Sequence, residues 1–74
     1  MPKLRPLSAD EVCRILKKHG FVRVRQAGSH IIMRLDLPGG DSRTVPVPNY
    51  REIAKGTLKS IIDLSGLDEG LFRK

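Results

Sequence analysis

The tripeptide Gly28-Ser29-His30 contains the residue types that could carry out acid–base chemistry. It lies where a predicted turn passes into a strand-like run over residues 30–35. A histidine exchanges a proton near neutral pH, because its ordinary pKa is about 6.5. Gly28 has no side chain, so a phosphate could approach its main-chain amide, and the Ser29 hydroxyl could donate a hydrogen bond. A solvated histidine beside an ordinary turn serine is the alternative interpretation.

The chain around this tripeptide is strongly cationic. Residues 14–35 include no Asp or Glu but six Lys or Arg side chains. A histidine in such a field is suited to a polyanionic substrate, and RNA is the polyanion whose own 2′-hydroxyl a base can activate. The candidate catalytic residue is therefore His30, and the candidate RNA-binding residues are Lys17, Lys18, Arg23, Arg25, Gly28, Ser29 and Arg34.

The overall charge balance supports the same class of partner. The 74 residues include 14 Lys and Arg against 8 Asp and Glu, a formal net charge of +6. Such an excess is typical of nucleic-acid binders, and it also suits a protein that binds an acidic partner. A chain of this length predicts a single domain over residues 1–74 with a small aliphatic core.

Several classes of protein do not fit the sequence. The single cysteine, Cys13, cannot form an internal disulfide, which indicates a reducing compartment. No apolar run approaches the ~18 residues of a membrane span, and residues 1–5 lack the apolar core of a signal peptide. Two histidines and one cysteine without ligand spacing predict no metal site, and no cofactor is indicated. We therefore expect a cytoplasmic protein with no membrane or metal partner.

Local signals predict where the first helix begins and ends. Ser8 is a suitable N-cap, and Glu11 three residues later completes a capping box. Gly20 is typical of the left-handed residue that follows a helix. His19 lies at this helix end, where a structural role is the simpler interpretation than a catalytic one.

The remaining elements follow from turn and strand signals. Strands are predicted over residues 21–26, 30–35 and 43–47. The third should be an edge strand, because Pro46 and Pro48 cannot donate to a ladder of hydrogen bonds. Three local signals predict the secondary structure of the last part of the chain. Thr57 is expected to cap a second helix, Gly66 to end it, and Asp68 to cap a last short turn.

The order α-β-β-β-α predicts an α+β fold, with two helices on one face of a three-stranded antiparallel sheet. Alternation along the first strand places Val22 and Val24 on one face and Phe21, Arg23 and Arg25 on the other. The open face of the sheet is then where three arginines should gather with the histidine: Arg23, Arg25 and Arg34 around His30. A slip of one residue would reverse the assignment for a whole strand.

An ordered set of landmarks resembles the HicA family of toxins, small mRNA interferases of bacterial toxin–antitoxin pairs. The first is an amphipathic helix running into Lys-His-Gly-Phe (residues 18–21), followed by Gly28-Ser29-His30 ahead of an apolar strand. A Thr-Val-Pro-Val-Pro strand (residues 44–48) and the opening of the last helix (residues 55–62) come next. The resemblance implies a fold like that of a double-stranded RNA-binding domain. It also implies that His30 is catalytic, that mRNA is the substrate and that a HicB-like antitoxin is the partner.

One position departs from the family pattern. Many relatives carry a histidine after the third strand, where this chain has Tyr50. The sequence assigns no residue as the general acid that protonates the leaving oxygen. The expected function is that of a metal-independent endoribonuclease toxin that uses His30 as its general acid/base. A non-catalytic RNA-binding module and a protein whose basic surface binds only an acidic partner are the alternatives.

Overall fold

The computed structural model describes residues 6–73 and has the element order that the local signals predict. The interpretation of residues 1–5 as lacking a signal peptide lies outside the described residues. Two α-helices, three strands and two short 3-10 turns follow one another along the chain. Their bounds are α1 Ala9–Lys18, β1 Val22–Ala27, β2 His30–Asp36, a turn at Pro38–Gly40, β3 Ser42–Pro48, α2 Lys55–Ser65 and a turn at Glu69–Phe72.

The start of α1 is the predicted capping box. The Ser8 hydroxyl accepts a hydrogen bond from the Glu11 amide at 3.1 Å, and the Glu11 carboxylate accepts one from the Ser8 amide at 3.2 Å. Two of the amides that a helix start leaves without partners are thus satisfied. At the other end Gly20 has φ 96, which confirms it as the left-handed residue after the helix.

The three strands form an antiparallel sheet in the order β1-β2-β3. β3 is therefore an edge strand, as Pro46 and Pro48 require. β1 and β2 are joined by a two-residue loop, Gly28-Ser29, in which Gly28 has φ 60. A glycine at the first central position is typical of the type II′ turns that suit the twist of a hairpin.

Both helices cover the same face of the sheet, which confirms the α+β architecture. Ile31 and Met33 of β2 and Val45 and Val47 of β3 are buried, whereas the residues between them are less covered. These four side chains share one core with apolar residues of both helices and loops: Leu7, Val12, Leu16, Phe21, Ile53, Leu58, Ile61, Ile62 and Phe72.

The first strand corrects the prediction for one arginine. Arg23 pairs with Met33 and Arg25 with Ile32, so an extra residue, Val24, forms a bulge between them. Arg23 therefore lies on the helix side of the sheet, where Phe21 is buried, and Arg25 lies on the open side. Val22 and Val24 are 55% and 50% exposed rather than forming a core face.

The second helix begins two residues before the predicted cap. Ala54 is the N-cap and makes no side-chain capping bond, so the prediction for Thr57 is wrong. Gly66 ends the helix with φ 71, as expected of a left-handed stop. Asp68 caps the last turn by accepting a hydrogen bond from the Gly70 amide at 3.2 Å. No helix among the described residues is long and apolar enough to cross a membrane.

Candidate nucleic-acid interface

His30 stands at the end of the sheet, on the face that no helix covers. It pairs with Ala27 of β1 and Pro48 of β3, neither of which has a polar side chain. The residue is exposed, while its neighbour Ile31 is buried on the opposite face. Within residues 6–73 the imidazole makes no hydrogen bond or ion pair, so both of its nitrogens are open to a ligand.

The hairpin loop beside His30 is held from two sides. The Asn49 amide donates to the Ser29 carbonyl at 2.7 Å, and the Gln26 side-chain amide donates to the Gly28 carbonyl at 3.3 Å. The space around Gly28 is open, since an added Cβ would meet nothing within 4 Å. A phosphate could therefore reach this loop, and Gly28 is required for its positive φ rather than for lack of room.

Two arginines share the open face with His30. Arg25 belongs to the next row of residues across the sheet, diagonal to His30 at a Cα separation of roughly 7–8 Å. Arg34 is four residues further along β2, about 13 Å away, and its Nε lies 3.0 Å from the Asp36 carboxylate. Arg25 is thus the nearer cation to His30 and the one without a carboxylate beside it among the described residues.

Two other predicted cations, Lys17 and Arg23, lie on the helix side of the sheet, in a groove between α1 and β1. This groove encloses about 350 Å³, and its floor is formed by Ile31 and Met33. Its walls carry three basic side chains and one acidic one: Arg14, Lys17, Arg23 and Asp10. Arg23 also donates to the Gln26 side chain at 2.8 Å. Lys18 is exposed on α1 and does not line the groove.

The predicted site residues therefore form two clusters, one on the open face of the sheet and one in the groove between α1 and β1. The structure brings together His30, Arg25, Gly28 and Ser29, and Arg34 lies farther along the same face. Arg23 and Lys17 are separated from them by the thickness of the sheet. Arg14 completes the second cluster and was not among the predicted site residues, although its place in the acid-free stretch was a signal for it. Among residues 6–73, no group of three His, Cys, Asp or Glu side chains could hold a metal ion.

A comparison with protein-family models decides which family the chain resembles. The model described as HicA toxin of bacterial toxin–antitoxin matches residues 9–67, well over half of the chain. The chain belongs to the HicA toxin family. No curated protein matches it in a sequence comparison. The HicA match begins with α1 and ends just after α2, so it includes His30 and both cationic clusters.

The Cys13 thiol lines the groove of this HicA protein, and its pKa depends on the charges of the groove. Burial raises the pKa of Cys13, Arg23 acts in the opposite direction by favouring the thiolate, and Asp10 adds to the rise. Because the thiolate is the reactive form, alkylation by iodoacetamide should reach its midpoint at a higher pH in the native protein than in the unfolded chain. We expect Arg23→Gln to move that midpoint further up and Asp10→Asn to move it down, as followed by mass spectrometry.

The matched control is Arg25→Gln, which removes the same charge from the opposite face. Arg25→Gln should leave the alkylation midpoint of Cys13 unchanged. An equal shift in Arg23→Gln and Arg25→Gln would contradict the placement of these two arginines on opposite faces of the sheet. The direction in which the free energy of unfolding changes with pH follows from the same raised pKa of Cys13. A thiol whose pKa is raised on folding stabilises the native state below the unfolded pKa, and this contribution is lost as the pH rises through the folded pKa.

Proposed function

We propose that this HicA-family toxin is a metal-independent endoribonuclease that cleaves mRNA. The observation that carries the proposal is His30, an exposed imidazole without polar partners on a cationic sheet face, one diagonal position from Arg25. His30 would accept the proton of an RNA 2′-hydroxyl, and the freed oxygen would attack the adjacent phosphorus. The bond to the 5′-oxygen would break and this oxygen would take a proton from water, so the products would carry a 2′,3′-cyclic phosphate and a 5′-hydroxyl end.

The remaining residues of the open face have supporting roles in this proposal. Arg25 would neutralise a phosphate and stabilise the charge that develops on the phosphorane, whereas Arg34, farther along β2, would neutralise a neighbouring phosphate. The Gly28 amide and the Ser29 hydroxyl would hydrogen-bond a phosphate oxygen. His19 is remote, because it precedes β1 at the far end of the sheet, roughly 17 Å along the strand from the row of His30. The proposal therefore assigns the general base alone.

The decisive experiment is cleavage of single-stranded RNA by the purified protein in excess EDTA. The expected products carry 2′,3′-cyclic phosphate ends, which are identified by mass spectrometry. Cleavage that requires a divalent ion would contradict the metal-independent mechanism. Salt-sensitive binding without product would favour a non-catalytic RNA-binding module.

Membership of the HicA family implies a HicB-type antitoxin partner. We propose that the antitoxin presents Asp and Glu side chains to the cationic surface of the toxin. The two clusters offer it two contact areas, the open sheet face around His30 and the groove between α1 and β1. A salt-sensitive complex that protects Cys13 from alkylation would identify the groove as part of that interface.

Binding of RNA should depend on the basic end of α1. Replacing Lys17 and Lys18 with Glu should weaken binding to all single-stranded RNAs alike, because phosphate contacts carry no sequence information. Each lost contact should reduce the log–log salt slope by about 0.7. The measurement is fluorescence anisotropy of labelled RNA over a series of salt concentrations.

The matched control for this pair is Lys55→Glu with Lys59→Glu, an equal change of net charge on exposed positions of α2. An equal loss of affinity in both double variants would mean that net charge alone governs binding. The thermal stability of both double variants should be measured as well. Glu in the last turn of α1 costs about 0.3–1 kcal/mol through the helix dipole, and this loss must be separated from the loss of RNA affinity.

A further inference from the structure

A second pocket lies between the start of α1 and the loop that follows β3. It encloses about 280 Å³ and is open to solvent. Its lining residues come from two short segments of the chain: Ser8, Ala9, Asp10, Asn49, Tyr50 and Arg51. The two segments are tied together, because the Ala9 amide donates to the Tyr50 carbonyl at 2.9 Å. The pocket is thus a built part of the fold.

Among the Phe, Tyr and Trp side chains of the sequence, Tyr50 is the one that is not part of the core. The chain has one Tyr, two Phe and no Trp, and Phe21 and Phe72 are almost completely buried. Tyr50 is 56% exposed and lines the pocket. A solvent-facing ring in a protein that binds nucleic acid offers a surface on which a base can stack.

The pocket adjoins His30 along the main chain. Pro48 is the cross-strand partner of His30, and the Asn49 amide donates to the carbonyl of Ser29. Adjacent strands place the Cα atoms of His30 and Pro48 about 5 Å apart, and two residues of chain reach at most roughly 7 Å further. The Cα of Tyr50 is therefore within roughly 12 Å of that of His30, a separation that neighbouring nucleotides of one RNA strand can bridge.

The polar side chains of the pocket suit a base rather than a phosphate. Asp10 and Arg51 carry opposite charges, so the pocket has no net positive charge, unlike the groove between α1 and β1. Three of the amides at the start of α1 are already bonded: those of Ser8 and Glu11 by the capping box, and that of Ala9 by the Tyr50 carbonyl. Within residues 6–73, the side chains of Asp10, Asn49 and Arg51 make no hydrogen bond or ion pair, so they are available to the edge of a base.

We propose that this pocket binds the nucleobase of a nucleotide next to the scissile phosphate. The base stacks on the Tyr50 ring, and its edge is hydrogen-bonded by Asn49 and Arg51. The inference rests on the proposed ribonuclease function and adds a specificity-determining subsite to it. Phosphates would contribute affinity through the cationic clusters, whereas the pocket would discriminate among bases.

The composition of the chain makes a direct test possible. Because Tyr50 is the only tyrosine and there is no tryptophan, the intrinsic fluorescence of the protein comes from this ring. The His30→Ala variant is titrated in EDTA with eight-residue homopolymers of the four ribonucleotides, and with an abasic chain of equal length and charge. We expect saturable quenching by at least one homopolymer and none by the abasic chain, with inner-filter effects corrected against free N-acetyltyrosinamide.

Substitutions give a second, independent reading. Tyr50→Ala should weaken binding of the preferred homopolymer about 5- to 150-fold, the range that corresponds to one stacked base. Its affinity for the abasic chain should not change, and Tyr50→Phe should restore binding of the homopolymer. Leu64→Ala, which removes an exposed apolar side chain from α2, is the matched control and should have no effect.

The outcomes separate this inference from the proposed function. RNA binding by anisotropy without any quenching would overturn the nucleobase pocket and leave the ribonuclease proposal in place. Quenching by RNA in a protein that never cleaves it would support the pocket and contradict catalysis. Quenching by the abasic chain equal to that by RNA would also overturn the inference. The quenching titration uses a protein that retains Tyr50, so it tests base binding in the pocket even if the Tyr50→Ala variant does not fold.

Discussion

His30→Ala should abolish RNA cleavage while the protein stays folded. A general base of this kind contributes about 10²- to 10⁴-fold to the rate, and His30 is the one histidine among the described residues of the open face. The imidazole is exposed, so its loss should change the free energy of unfolding by no more than about 0.5 kcal/mol. Cleavage assays and thermal melting of wild type and variant are the paired measurements.

His19→Ala is the matched control for this prediction. It removes the other histidine of the chain, which is exposed and caps the far end of α1. We expect its cleavage rate to equal that of the wild type. A folded His30→Ala protein that cuts RNA at the wild-type rate would rule out catalysis by this residue.

Phe72→Ala should unfold the protein or leave it only marginally stable. The Phe72 ring is completely buried and belongs to the core shared by sheet and helices. Truncation of a buried Phe to Ala costs about 3–5 kcal/mol. A chain of 74 residues has a total stability of about 4–11 kcal/mol at the usual value per residue. The loss is therefore comparable with the whole stability, and urea denaturation followed by circular dichroism would measure it.

The neighbouring residue supplies the control. Leu71 lies in the same 3-10 turn but is 41% exposed, so Leu71→Ala should cost much less than Phe72→Ala. Equal losses in the two variants would mean that the turn itself, rather than the buried ring, stabilises the fold. Phe72 lies beyond residue 67, where the HicA family match ends, so this part of the core is not apparent from the resemblance.

The sequence by itself was sufficient for features that depend on a few neighbouring residues. The capping box of Ser8 and Glu11 and the left-handed glycines at 20 and 66 could be predicted because each is a local main-chain requirement. The edge position of β3 followed in the same way from its two prolines, which lack amide hydrogens. The α-β-β-β-α order and the start of a strand at His30 were predictable for the same reason.

Only the tertiary structure decided which side chains face each other. Simple alternation placed Arg23 and Arg25 on one face, but the bulge at Val24 separates them, and the pairing of β1 with β2 produces that bulge. The helix α2 begins at Lys55 rather than at a polar cap at Thr57. Its burial against the sheet, a tertiary interaction, stabilises it without a side-chain cap.

The pocket at Tyr50 depends on the same kind of information. Its two walls are separated by about 40 residues of sequence and meet because the β3–α2 loop hydrogen-bonds to the first turn of α1. The sequence identified Tyr50 only as a departure from the family pattern. Local propensities act within one element, whereas sheet register and loop packing depend on contacts between distant parts of the chain. That difference is why the sequence predicted the catalytic candidate His30, while the structure was needed to identify its neighbours.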